Sequence, residues 1–133
     1  FDGAGVSRQS FGLMAKLRET DRALTPALQE TVCEFHPELV WQRLAGERVP
    51  SKHQPAGLAL RWRLLTARFP GVEGLRGRHR TVGPGVREDD LLDALVGLDL
   101  AWRWVADPHG AGVTRFPSPP ERDARGLRME IWF

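Results

Sequence analysis

Along residues 9–24 the apolar positions Phe11, Met14, Leu17 and Leu24 recur every three or four residues in an otherwise polar stretch, and Ser7 or Ser10 is placed to cap its start. At about 3.6 residues per turn these side chains share one face, so the spacing predicts an amphipathic helix. Residues 31–36, Thr-Val-Cys-Glu-Phe-His, are too few for a helix and rich in strand formers, which predicts a short strand. His36 stands before Pro37 and is biased toward extended backbone, while Pro37 suits the first turn of a helix that runs to about Ala45 and stops at Gly46. In residues 56–69 the stripe Leu58, Trp62, Leu65 and Phe69, with arginines between, predicts a further helix.

Residues 70–87 break the pattern. They are rich in glycine, contain Pro70 and Pro84, and carry Arg76, Arg78, Arg80 and Arg87, so an exposed, flexible basic loop is expected there. A long helix is predicted from Glu88 to about Ala106, then a turn at 107–112. A short strand is allowed at 114–116, followed by a Pro-rich turn and a closing strand at 128–133. Helices alternating with a few strands indicate an α/β fold, yet one internal strand with a closing one is too little sheet to stand alone.

Composition narrows the class. A chain of 133 residues with 41% hydrophobic and 27% charged residues has the size and balance of one globular domain. No apolar run approaches the ~18 residues of a membrane span, and the first ten residues lack the basic flank and apolar stretch of a signal peptide, so no membrane partner and a cytoplasmic location are expected. Cys33, the single cysteine, reads as a small buried hydrophobe. The 17 arginines and 2 lysines against 17 acids leave a net charge of +2, which permits a nucleic-acid partner without indicating one. The chain begins with Phe1 and not Met, which suggests part of something longer.

The densest candidate chemistry is Asp89, Asp90 and Asp93 at the head of the long helix. Residues three or four apart share a helix face, and like charges there repel unless a cation lies between them. A carboxylate pair on a rigid turn, with more carboxylates from elsewhere, is what Mg²⁺ or Mn²⁺ needs in phosphodiester hydrolysis. Acids in a first turn also complement the helix dipole and cap free amides; that accounts for Asp89 and Asp90 better than for Asp93. Glu34 and His36 share a strand face near its carboxyl end, where α/β folds gather ligands. A Glu34 ion pair and a His36 cap explain them equally well. Lys52 precedes a helix start, a place for an anion or for solvent. The five tryptophans sit at core spacings.

Taken in order, "SRQSFGLMAKLRETD", "EFHPELVWQRLAG", "SKHQPAGLALRWRLL", "DDLLDAL" and "RDARGLRMEIWF" resemble a bacterial and archaeal family of predicted nucleases with an RNase H-like fold, the domain of unknown function family 429. The arrangement also resembles the second half of RuvC-type Holliday-junction resolvases. The resemblance implies an RNase H-like α/β fold and metal-dependent phosphodiester hydrolysis with Mg²⁺ or Mn²⁺. It makes Asp90 and Asp93 the metal-ligand pair with Asp89 beside them, Glu34 a further catalytic candidate, and His36, Lys52, Arg78 and Arg80 candidates for contact with nucleic acid. The family's Gly-x-Asp and Ile-Asp strand elements are absent, so residues 1–133 are expected to form the C-terminal part of such a domain, completed by a missing N-terminal segment or a second chain. The alternative is a non-catalytic module of the same fold that binds nucleic acid or protein.

Overall fold

The computed structural model describes residue 5, residues 7–107 and residues 112–133. The first helix, α1 (Arg8–Ala23), begins where Ser7 Oγ accepts the Ser10 amide at 3.0 Å. The predicted apolar stripe is there, but it faces outward: Phe11 is 73% and Leu17 57% exposed. A 3-10 turn (Leu28–Glu30) follows, and Gln29 joins it to the end of the chain by exchanging two hydrogen bonds with the Arg128 backbone.

The predicted strand at 31–36 contracts to a single parallel bridge between Phe35 and Trp132, in which Trp132 N donates to the Glu34 carbonyl at 2.9 Å. Pro37 ends it: with its φ fixed and no N–H to give, it opens α2 (Pro37–Ala45) instead of extending a ladder. Gly46 closes α2 in the left-handed region at φ 71°, donating to Gln42 O, a backbone that glycine adopts without steric cost. Helix α3 (Pro55–Arg68) likewise starts on a proline.

Between α3 and the long helix, residues 70–87 carry a 3-10 turn (Val72–Leu75) and the four-residue α4 (His79–Val82). Helix α5 spans Glu88–Ala106. Strand β1 (Arg115–Arg122) pairs antiparallel with β2 (Arg128–Trp132), so the expected Pro-rich turn is the irregular middle of a strand. The ladder breaks between Phe116 and Glu121, where Pro117, Pro119 and Pro120 have no N–H for it. Part of the expected turn at 107–112 lies outside the described residues.

The architecture is α/β, with α2, α3 and α5 packed together and the hairpin joined to their core through Trp132, whose ring lies 5.5 Å from that of Trp104 on α5. Val40 and Trp41 of α2, Trp62 and Leu65 of α3, and Leu92, Val96 and Leu100 of α5 form the centre of the core. Burying each such side chain contributes roughly 1.5 to 3 kcal/mol. Gly97 lets the sheet edge approach α5, since a Cβ there would lie 2.6 Å from the Phe35 ring. Cys33 packs beside this core, and burial, then the Glu130 charge, push its thiol pKa up, which keeps it protonated and unreactive.

Candidate acidic site

The first turns of α2, α3 and α5 meet around Lys52, which lies in the loop ahead of α3. Its Nζ is 2.7 Å from Asp93 Oδ2 and 3.7 Å from Asp89 Oδ2. The other oxygens of the two carboxylates are also met: Trp41 Nε1 donates to Asp93 Oδ1 at 3.3 Å, and Arg87 Nε to Asp89 Oδ1 at 2.9 Å. Asp89 is 8% exposed, so this pair sits at the rim of the core and not free in solvent.

A second tier holds Lys52 in place. Arg61 of α3 is fully buried; it donates to the Pro50 and Gly57 carbonyls at 2.9 and 3.0 Å and to Glu38 Oε2 at 2.7 Å, with its guanidinium 5.7 Å from the Trp41 ring. The loop lies so close to α3 that a Cβ on Gly57 would be 2.1 Å from the Ser51 carbonyl oxygen. Backbone on both sides of that contact cannot yield cheaply. Gly57→Ala is therefore expected to lower stability by about 2 kcal/mol or more and to displace Lys52; urea unfolding checks the first part, and a loss below about 0.5 kcal/mol contradicts it.

Electrostatics follow the geometry. The hydrogen bond to Asp93, ahead of the opposing burial and the charges of Asp93, Asp89 and Glu38, raises the Lys52 pKa above its ordinary 10.5. Burial alone would raise the Asp89 carboxyl; the Arg87 hydrogen bond, its own helix amide and the charges of Arg87 and Lys52 outweigh that and hold it below its ordinary 3.8. A depressed acid contributes stability above its unfolded value and loses it as pH falls through the folded one. A raised lysine contributes below its unfolded value and loses it as pH rises through the folded one. Stability is thus expected to fall at both extremes and to be flat between about pH 5 and 9. In a Cys33→Ser background, which removes the alkaline loss set by the raised thiol, Lys52→Met should flatten the alkaline limb, and a pH series of urea midpoints that leaves this limb intact contradicts the assignment.

The structure brings together Asp89, Asp93 and Lys52, but not Asp90. Asp90 is exposed, and its Oδ2 accepts the Arg87 amide at 2.8 Å, which is the capping role. Glu88 is also occupied, accepting from Trp62 Nε1 at 2.7 Å. Glu34 is exposed and lines a cleft with Arg128 and Glu130 on the hairpin side. His36 is the exposed N-cap residue of α2, without a side-chain cap bond. Arg78 and Arg80 are exposed around α4. Glu38, in the same Glu-Phe-His-Pro-Glu block as Glu34, is the residue sequence reasoning passes over. Its signal was the spacing to Trp41, since i and i+3 on α2 put both on the face toward Asp93.

The donor set suits a hard cation in kind. Mg²⁺ takes one or two carboxylates and completes its shell with water and phosphate oxygens. Asp89 and Asp93 could hold one such ion once Lys52 moves off, and the ion would supply charge neutralisation at a phosphate. Among the described residues no group of three His, Cys, Asp or Glu side chains is placed to hold a metal, so a second ion needs ligands from elsewhere. Nor is any helix among them long and apolar enough to cross a membrane.

A family model described as "Protein of unknown function (DUF429)" matches residues 1–122. No curated protein and no solved structure matches the chain.

Proposed function

The chain belongs to the DUF429 protein family, and we propose that it is the C-terminal part of an RNase H-like domain that hydrolyses phosphodiester bonds of nucleic acid with Mg²⁺ or Mn²⁺, in the cytoplasm. One observation carries the reading: two carboxylates one helical turn apart, Asp89 and Asp93, are held at the rim of the core on a rigid helix and share a single lysine. Like charges so placed repel, and a site that keeps them together stores affinity for a cation. In this reading Asp89 and Asp93 bind the ion, and Lys52 fixes the carboxylates until a phosphate draws it away. Arg78 and Arg80 meet the backbone, where charge neutralisation dominates affinity. The remaining carboxylates come from a further segment or a second chain. Asp90 and Glu34 have no part in the ion site.

A second reading is a non-catalytic module in which Lys52 clamps the loop to α5. It is favoured by the occupancy of the pair, since each oxygen of Asp89 and Asp93 faces Lys52, Arg87 or Trp41.

The test is cleavage of single- and double-stranded oligonucleotides by the natural gene product. Hydrolysis that requires Mn²⁺ or Mg²⁺ and falls at least about a hundredfold in Asp93→Asn is the expected result. Absence of cleavage, or cleavage that survives Asp93→Asn, gives the clamp reading instead.

A further inference from the structure

The backbone bonds of residues 33–36 leave one side of this segment open. Trp132 N donates to the Glu34 carbonyl at 2.9 Å and His36 N to the Trp132 carbonyl at 3.4 Å, which sets Phe35 opposite Trp132 in a parallel bridge. In such a ladder the residues flanking Phe35 make the bonds to β2, so the N–H and C=O of Phe35 itself point the other way. Neither has a hydrogen-bond partner among the described residues, and nor do those of Cys33, two residues earlier.

Unpaired donors and acceptors along an extended segment are a template for another strand. Strand β1, at the far edge of the sheet, blunts this tendency with Pro117, Pro119 and Pro120, which have no N–H to offer. Residues 31–36, Thr-Val-Cys-Glu-Phe-His, contain no proline and no lysine to guard them. The sheet itself is short of partners, since two strands and one bridge are less than an independently stable sheet needs.

The side chains define what fits. Phe35 packs against α5, where a Cβ on Gly97 would lie 2.6 Å from its ring, so Cys33 and Phe35 face the core. A strand laid beside them must be apolar on that face. On the other face Val32 is 46% exposed, and Glu34 is exposed with no ion pair among the described residues. A second copy of this segment does not suit the edge, because antiparallel pairing of Cys33 with Phe35 sets the two Glu34 carboxylates directly opposite each other, where like charges repel.

We propose that the open edge at residues 33–35 receives an extended β-strand from a different polypeptide segment, apolar on the core face and basic opposite Glu34. Main-chain bonds to Cys33 and Phe35 supply affinity, and Glu34 supplies selectivity. The proposal does not depend on hydrolysis, since a strand can add whether or not Asp89 and Asp93 hold an ion.

The test uses the acetylated, amidated pentapeptide Thr-Val-Lys-Val-Thr, which reads the same in either strand direction, with amide exchange followed by NMR of the ¹⁵N-labelled protein. At about 5 mM peptide, exchange at Cys33 and Phe35 is expected to slow at least about threefold, while His36, already bonded to Trp132, changes little. The same peptide with every amide N-methylated keeps its side chains, cannot donate, and should have no effect. Glu34→Lys, at an exposed position that leaves the core intact, should bind the peptide at least about threefold more weakly. Unchanged exchange at Cys33 and Phe35, equal slowing by the N-methylated peptide, or affinity unmoved by Glu34→Lys overturns the proposal. Slowing that grows with protein concentration in the absence of peptide also overturns it, and gives the edge to a second copy.

Discussion

Lys52→Met is expected to lose about 2 kcal/mol of stability in metal-free buffer and to regain about half of it in millimolar Mn²⁺. The loss arises because Asp89 and Asp93 stay where α5 puts them, at the rim of the core, while the ammonium group that lies 2.7 Å from one and 3.7 Å from the other is gone. Methionine keeps most of the aliphatic volume, so the change is chiefly one of charge. The regain arises because the vacated gap between two carboxylates is open to a divalent ion. Urea unfolding with and without Mn²⁺ measures both. A variant as stable as the wild type would show that the pair needs no counterion, and one indifferent to Mn²⁺ would show that the gap does not take a cation.

Arg61→Leu is expected to cost about 3 kcal/mol, the larger of the two effects on the fold itself. A fully buried guanidinium joins three elements at once: the Pro50 carbonyl in the loop, the Gly57 carbonyl in its own helix and the Glu38 carboxylate on α2. Leucine fills part of the space but leaves the Pro50 carbonyl and a half-buried carboxylate without that donor, while the Gly57 carbonyl keeps its helical partner. Such orphaned groups cost more than the mean worth of the bonds they lose. The loop should also loosen, and Lys52 with it, so that Arg61→Leu and Lys52→Met together cost less than their sum. Thermal and urea unfolding of the two single variants and the double decide this; a loss below about 1 kcal/mol, or strict additivity, contradicts the link from Arg61 to the acidic pair.

Much of the helical framework was legible because its limits are written in local chemistry. Pro37 opens α2, Gly46 closes it in a left-handed turn, and the apolar period of residues 88–106 is long enough to leave no alternative. The sheet was less legible. Residues 31–36 have strand formers but only one ladder partner, Trp132, and the Pro-rich stretch joins β1 because an irregular strand tolerates prolines that a regular ladder does not. The exposed face of α1 shows the limit of periodicity: Phe11, Met14 and Leu17 predict the helix but not what it packs against.

In the acidic site, spacing alone could not separate Asp89 from Asp90. Both lie within a turn of Asp93, and the choice is made by groups outside the run. Lys52, 41 positions away from Asp93, selects it together with Asp89, while the free amide of Arg87 takes Asp90. The position of Lys52 ahead of a helix suits an anion or solvent, and its partner here is a pair of carboxylates supplied by another helix. Glu38 was hidden because an acid just after a helix-opening proline is adequately explained by the helix dipole.

As proposed above, Asp89 and Asp93 form one side of a cation site. Calorimetric titration of Mn²⁺ into wild type, Lys52→Met and Asp93→Asn tests it most directly. Weak binding is expected to the wild type, where Lys52 competes, binding at least about tenfold tighter to Lys52→Met, a difference of roughly 1.4 kcal/mol, and none to Asp93→Asn. Binding that is equal in all three proteins, or absent from Lys52→Met, would contradict it and leave the lysine as a clamp.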